Sequence, residues 1–334
     1  MQSIGDLAQS LALGFRQTRL KTDIDRLGVE LSTGLAADKA ARLNGDTTTL
    51  QSVEHALRRL DAFRIATTEA GIVSESMQRA LDIVQTGTQD LTASLLRAGL
   101  LVTDSARATL SNDAAETLQS VISALNTQAA GRVLFAGIAT DTVPLTNARE
   151  LVADLVTHVG GATDVAGIDA ALDDWFDTPG GGFETTTYRG ATEDLQPLEL
   201  REGVTVSLAV RADDGTVRAI LKAAAKAALV NEDALALDPD VKTGLLVAAG
   251  RDLAALELPL TELRATLGLA EGRIEQTSVR NASEVTSLEI ARLNLVGTDP
   301  YETAIRLEQA ELQLRSLYTA TARASRLSLL EYIR

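Results

Sequence analysis

Apolar residues recur at helical spacing near both ends of the chain. They step by three and four positions, which places them on one face of a helix because an α-helix has about 3.6 residues per turn. We call these positions the terminal seam: Ile4, Leu7, Leu11, Leu20, Ile24, Leu27, Leu31, Leu307, Ala310, Leu314, Leu317, Ala324, Leu327 and Leu330. The pattern predicts one amphipathic helix at each end.

A second helical pattern follows a break at Ser32-Thr33-Gly34. Apolar residues at steps of three and four run from Leu50 to Leu95, and no proline precedes Pro144, so one long helix is predicted there. We expect a third helix to begin after Ser111-Asn112-Asp113, because small polar side chains commonly cap helix N-termini. These helices are predicted to pack as antiparallel partners.

The middle third differs from both arms. Residues 141–250 contain four of the six prolines and eleven of the 24 glycines. Apolar and polar residues alternate from Val204 to Val210, which predicts a strand, and a helix is expected over 217–230. The stretch 232–260, which contains Pro239 and Pro259, is assigned no element.

These patterns predict a mainly α protein with an inserted α+β domain. Long antiparallel helices from both termini would form a bundle or coiled-coil rod. We expect terminal amphipathic helices at 1–45 and 295–334, a helical rod domain at 46–140 and 251–294, and an inserted acidic domain at 141–250 that faces solvent.

Charge and composition narrow the functional classes. The net charge is -15, and residues 141–250 contribute 8 basic and 19 acidic side chains, or -11. Nucleic-acid binding is disfavoured, because such proteins concentrate Lys and Arg. The chain contains no cysteine and only two histidines, so we expect no disulfide, metal or cofactor site. No apolar run is long enough to span a membrane, and Met1 to Asp6 lack the pattern of a signal peptide.

No group of residues nominates a catalytic centre. His55 and His158 lack a nucleophile partner, Gly180-Gly181-Gly182 lacks the residues of a phosphate loop, and Asp173, Asp174 and Asp177 miss the spacing of a calcium loop. We therefore predict no enzyme.

The terminal helices are predicted to be marginal when isolated. Burying the seven seam positions of one helix contributes about 10 to 20 kcal/mol in total. Ordering the backbone of that helix costs about 1 to 2 kcal/mol for each of its residues, which is more in total. We expect these helices to be mobile in the monomer and to fold against the same helices of neighbouring subunits.

Several motifs resemble those of one family, the bacterial flagellins and their hook-associated relatives. Leu31-Ser32-Thr33-Gly34-Leu35 is similar to the family's N-terminal signature, and the segment from Asp299 to Ala304 resembles the entry into its last helix. The family's C-terminal helix motif is similar to a set of residues here, namely Arg264, Leu267, Gly268 and Arg273.

A further segment resembles the members of that family that join the hook to the filament. Its residues are Gly131, Leu134, Phe135, Gly137, Asp141 and Pro144. The tail from Ala324 to Ile333 is similar to theirs as well.

The resemblance implies a structural component of the flagellum that assembles through its helical termini. The implied partners are identical subunits in a ring, the first hook-associated protein, flagellin, and an export chaperone that binds about 290–334. It also implies export by the flagellar secretion apparatus, without signal cleavage, to an extracellular position. A small flagellin that forms the filament itself is the nearest alternative, and a cytosolic helical scaffold is an alternative from another class.

Overall fold

The computed structural model describes the backbone of residues 4–100 and 103–332, and the side chains of residues 8, 11–100 and 103–323. Long helices dominate it, which confirms the predicted fold class. The α-helices are α1 (Ile4–Thr33), α2 (Lys39–Arg42), α3 (Thr48–Leu95), α4 (Asp104–Leu125), α5 (Ala148–Val159), α6 (Val165–Asp177), α7 (Gly215–Ala228), α8 (Pro239–Val296) and α9 (Pro300–Tyr332).

The strands are short and form two separate antiparallel hairpins. The first consists of β1 (Gln128–Ala129) and β2 (Arg132–Val133), and the second of β3 (Leu198–Arg201) and β4 (Val204–Val206). Short 3₁₀ turns lie at Ala98–Leu100, Leu229–Asn231 and Asp233–Leu235, and one π-helical turn lies at Phe183–Thr187.

The chain divides into two compact units. The terminal unit contains residues 1–61 and 282–334, and the central unit contains residues 62–281. The three-part division expected from the sequence stays a prediction.

In the terminal unit, α1 and α9 pack along each other. The amide of Gln17 donates a hydrogen bond to the hydroxyl of Tyr318 at 3.1 Å, and Leu35 forms a β-bridge with Gly297. Residue numbers therefore rise along α1 as they fall along α9, so the two helices are antiparallel. We call this pair the terminal hairpin.

In the central unit, α4 to α7 and the strand hairpins enclose a continuous apolar core together with segments of α3 and α8. Aromatic rings fill part of it: Phe135, Phe176 and Phe183 are fully buried. The rings of Phe176 and Phe183 lie 5.5 Å apart. The unit therefore has a core of its own.

The sequence-based start of the third helix is wrong. Helix α4 begins at Asp104, where the hydroxyl of Thr103 caps it by accepting a hydrogen bond from the Ala106 amide. Ser111 lies within the helix and is buried, and its hydroxyl donates to the carbonyl of Ala228 at 2.8 Å. Ser111, which suggested a cap, instead makes a tertiary contact.

Two other expectations are modified. The strand ends at Val206, although alternate burial continues through Leu208 and Val210. Helix α8 begins at Pro239 and continues through Pro259 to Val296. Proline suits the first turn of a helix, where its missing N–H would have no partner.

Candidate assembly surface on the terminal helices

The terminal seam lies on the terminal hairpin, which buries it only in part. Leu27 and Ala310 are buried, whereas Leu11 and Leu31 are exposed. The remaining described positions are half-buried, namely Leu20, Ile24, Leu307, Leu314 and Leu317. The seam side chains of Ile4, Leu7, Ala324, Leu327 and Leu330 lie outside the described residues.

Further apolar side chains on the hairpin face solvent. Phe15 is 75% exposed, Leu312 is 65% exposed and Tyr301 is 77% exposed. Exposed apolar side chains of this size are available for contact with further helices. The predicted mobility of these helices in the monomer stays a prediction.

An open groove lies on the hairpin. Its lining includes the apolar side chains of Leu20, Leu312 and Leu317 and the charged side chains of Arg16, Arg19 and Asp23. A lining that combines apolar and charged side chains is typical of a groove that receives an amphipathic helix.

Two sequence signatures meet at the end of the hairpin. The Leu35–Gly297 bridge joins the segment after α1 to the turn between α8 and α9. The Ala36 amide donates to the Val296 carbonyl at 2.8 Å, and the Thr298 amide donates to the Gly34 carbonyl at 3.0 Å. Residues 31–35 and 299–304 therefore lie at one structural corner, although more than half of the chain separates them.

Glycine is needed at two positions of this corner. Gly34 has φ +68°, a left-handed conformation that glycine adopts without a Cβ clash. At Gly297, a Cβ atom would overlap the carbonyl oxygen of Leu293. The backbone of this corner is therefore specified in part by steric constraints.

Glu30 supports the same corner and was missed by the sequence analysis. Its carboxylate is buried and accepts hydrogen bonds from the Ala37 amide at 3.2 Å and from Arg26 at 3.3 Å. The signal available in the sequence was the four-residue spacing of Arg26 and Glu30 on one helix.

Asp299 begins the last helix. Its carboxylate accepts hydrogen bonds from the Tyr301 amide at 2.8 Å and the Glu302 amide at 3.3 Å. Since these N–H groups precede the helical hydrogen-bond ladder, the carboxylate satisfies donors that would otherwise lack a partner. Pro300 occupies the first helical position.

The segment 131–144 lies in the central unit, where it is mostly packed. Ala130 and Gly131 both have positive φ and form the two-residue turn between β1 and β2. Leu134, Phe135 and Pro144 are buried, whereas Asp141 is exposed.

Gly137 is the most constrained position of that segment. It has φ +62°, and a Cβ atom there would overlap the carbonyl oxygen of Glu193. Backbone hydrogen bonds fix the adjacent residues to the same neighbouring segments. The Ala191 amide donates to the Ala136 carbonyl at 2.9 Å, and the Ala212 amide donates to the Phe135 carbonyl at 2.9 Å. The geometry supports packing of the insertion rather than ligand binding.

The C-terminal helix motif also packs within the central unit. Leu267 is buried, and the backbone carbonyl of Arg264 accepts a hydrogen bond from the side chain of Gln78 at 2.9 Å. The Arg264 guanidinium pairs with Asp82 at 3.0 Å.

The other two motif positions differ in environment. Gly268 is half-buried, and a Cβ atom there would be in ordinary contact with Gln78. Arg273 is exposed. Burial raises the pKa of nearby Glu271, against the opposing effect of its hydrogen bond to Gln78.

The acidic residues near Trp175 are engaged in ion pairs. The ammonium group of Lys222 lies 2.9 Å from Asp173 and 2.5 Å from Asp177. Across the residues with described positions, no cluster of His, Asp or Glu has the arrangement of a metal site. These ion pairs link α6 to α7.

Part of the chain is similar in sequence to a known protein family. Residues 255–333 match the family model of the bacterial flagellin C-terminal helical region. No curated protein matches the chain. Within its described part, none of the helices combines the length and apolarity required to cross a membrane.

Two solved structures are similar to this one at low sequence identity. A putative flagellar hook-associated protein from Vibrio parahaemolyticus is 15% identical, with a TM-score of 0.48 over 74% of this chain and 95% of that chain. FlgL from Bacillus cereus is also 15% identical, with a TM-score of 0.48 over 71% of this chain and 99% of that chain. The sequence match shows that the region containing most of α8 and all of α9 is similar to the C-terminal helical region of bacterial flagellins.

Proposed function

We propose that this protein is a structural component of the bacterial flagellum, a member of the flagellin and hook-associated family, and that it joins the hook to the filament. The observation that carries the proposal is the match of residues 255–333 to the flagellin C-terminal helical region. That region supplies α9, half of the partly exposed terminal hairpin.

The hairpin supports assembly as the mode of action. Its seam is only partly covered within one chain, and burial of apolar surface is the main favourable contribution to subunit association. Identical subunits would pack their hairpins together in a ring between the first hook-associated protein and the first flagellin layer. The junction role itself, that of the third hook-associated protein, rests on the resemblance of the 131–144 segment and the tail.

Immunogold electron microscopy tests the position of the protein. Antibodies against residues 141–250 would be applied to intact flagella. A single cluster at the boundary of hook and filament is expected. Label along the whole filament would favour the alternative, a small flagellin, and absence of label from every flagellum would favour the cytosolic scaffold.

Export and chaperone binding are tested separately. We expect the protein in the culture medium of a strain that cannot complete its filament, because the flagellar secretion apparatus would export it. A chaperone pull-down should fail after deletion of residues 290–334. If the deletion variant still binds the chaperone, residues 290–334 are not the chaperone-binding segment.

A further inference from the structure

Charge is distributed unevenly along the terminal hairpin. Within the part whose side chains are described, we define its distal half as residues 11–22 and 312–323, and its proximal half as residues 23–33 and 300–311. The distal half contains five basic and no acidic residues, a net +5, namely Arg16, Arg19, Lys21, Arg315 and Arg323. The proximal half contains six acidic and two basic residues, a net -4, namely Asp23, Asp25, Glu30, Glu302, Glu308 and Glu311 against Arg26 and Arg306.

The distal charges are available to a partner. Arg16, Arg19, Lys21 and Arg323 are exposed, and they form no ion pair with any residue whose side chain is described. Arg315 lies 3.4 Å from Glu311 at the border of the two halves, with its side chain 78% exposed. Among the described side chains, the basic charge of this half is therefore not neutralised by acidic partners.

The two basic residues of the proximal half are engaged within that half. Arg26 lies 3.1 Å from Asp23, and Arg306 lies 2.5 Å from Glu302. Exposed acidic side chains remain, including Glu308. The proximal surface is therefore acidic after its own ion pairs are formed.

Both halves also expose apolar side chains. Phe15 and Leu312 do so in the distal half, and Val29 and Tyr301 do so in the proximal half. Each half thus combines apolar surface with charge of one sign, and the two signs are complementary. Complementary charge fixes the register of an interface, whereas apolar burial supplies much of its affinity.

We propose that the distal half of the terminal hairpin binds the proximal half of the same hairpin in a second copy of the chain. This inference rests on the proposed function, since it names the contact by which identical subunits assemble. A parallel neighbour at the same level would place basic on basic and acidic on acidic surface. The distal half of one hairpin lies against the proximal half of such a neighbour only if the neighbour is displaced by about 18 to 20 Å along the helix axis. This distance is the rise of about 12 to 13 helical residues. With parallel neighbours, the subunits of the proposed ring would therefore follow a helical path instead of lying in one plane.

Two charge-reversed full-length variants test the contact. The first carries Arg16→Glu, Arg19→Glu and Arg315→Glu, and the second carries Asp25→Lys, Glu308→Lys and Glu311→Lys. Sedimentation velocity at low salt should show self-association of the unaltered chain. Each variant alone should associate at least about tenfold more weakly than the unaltered chain. An equimolar mixture of the two variants should associate again, because each then offers the complement of the other.

Cysteine cross-linking gives an independent measurement, because the chain contains no cysteine. A chain with Arg19→Cys mixed with a chain with Glu302→Cys should form a disulfide-linked pair under mild oxidation, because the displacement brings these two positions to the same level. Disulfides require the two Cα atoms to lie within about 7 Å of each other. The Arg19→Cys chain alone is the matched control and should cross-link to itself less.

Several results would overturn this inference. These are a monomeric unaltered chain at every concentration and salt tested, variants that associate as the unaltered chain does, or a mixture that fails to restore association. Binding of the unaltered chain to phosphatidylglycerol vesicles, lost only in the distal variant, would assign the basic half to a lipid surface instead. Far-UV circular dichroism of each variant checks its fold. If any of these results were obtained while immunogold still labelled the flagellum, the proposed function would stand and only the contact between the distal and proximal halves would be rejected.

Discussion

The terminal hairpin and the core of the central unit bury their apolar side chains to different extents. In the central unit Phe135, Phe176 and Phe183 are fully buried, whereas only Leu27 and Ala310 are buried among the described seam positions of the hairpin. A fully buried side chain of this size contributes about 1.5 to 3 kcal/mol. The central unit therefore has the apolar burial of a self-sufficient domain, whereas the hairpin leaves apolar surface exposed that the proposed assembly would cover.

The largest difference is expected from truncating one side chain in each region. Phe176→Ala should destabilise the central unit by about 3 to 5 kcal/mol, because it leaves a cavity in a closed core. Leu20→Ala in the hairpin should lower monomer stability by about 1 kcal/mol, since Leu20 is already half-exposed. Urea denaturation followed by circular dichroism measures both, and equal losses would contradict the comparison.

Substitutions at two glycines, Gly137 and Gly131, distinguish a steric clash of the new Cβ from the cost of a left-handed backbone conformation. Gly137→Ala should destabilise the central unit by about 3 kcal/mol, because the new Cβ overlaps the Glu193 carbonyl oxygen and φ is +62°. Gly131→Ala is the matched control. Its φ is +76° and no atom lies within 4 Å of the added Cβ, so only the left-handed conformation contributes, about 1 to 2 kcal/mol. Denaturation midpoints that move equally would contradict the steric account.

The packed insertion should respond to high pH through Tyr188. Burial raises the pKa of this phenol from 10.0 to about 12, and its hydroxyl donates to the Ala191 carbonyl at 2.7 Å. Because the folded pKa is above the unfolded one, this contribution to stability is fully present below pH 10 and is lost as the pH rises toward 12. The loss amounts to about 2 to 3 kcal/mol.

Tyr188→Phe isolates that effect from other groups that titrate at high pH. The free energy of unfolding of the unaltered chain should fall more steeply between pH 10 and 12 than that of the variant. Parallel curves for the two proteins would show that Tyr188 does not cause the decline.

The smallest effect on the monomer is expected at the seam. Ala310→Leu adds volume at a buried position between partly covered helices, and should change monomer stability by about 1 kcal/mol. Its effect on assembly should be larger, because a stiffened or displaced seam alters every contact between subunits. Swimming and filament attachment that match the unaltered strain would count against a role of the seam in assembly.

Amide hydrogen exchange compares the two regions without a mutation. Residues 4–31 and 307–330 should exchange faster in the monomer than α4 and α7, because their seam is only partly buried. Strong protection of both segments would contradict the predicted mobility of the terminal helices.

The longest elements were predictable because their patterns repeat many times. The apolar steps from Leu50 to Leu95 lie within α3, which spans Thr48–Leu95. The break at Ser32-Thr33-Gly34 coincides with the end of α1 at Thr33. In both cases local spacing and local chain breakers specify the element, so no distant contact is needed.

Errors occurred where distant contacts override local preference. Ser111-Asn112-Asp113 has the composition of a cap, yet Ser111 bonds to backbone groups near residue 228 from within α4. Leu208 and Val210 alternate as in a strand, but the hydrogen-bonded ladder with β3 ends at Val206. A single-sequence pattern has no information on which partner a polar group or a strand edge will find.

The sequence by itself determined the mainly helical class, the two amphipathic ends and the acidic insertion, because periodicity and composition are local properties of the chain. Only the tertiary structure brought Leu35 beside Gly297, buried Glu30 beneath their corner and left the seam half covered. It also aligned the basic stretch of α1 with the basic stretch of α9, since that alignment depends on the antiparallel register of two helices at opposite ends of the chain.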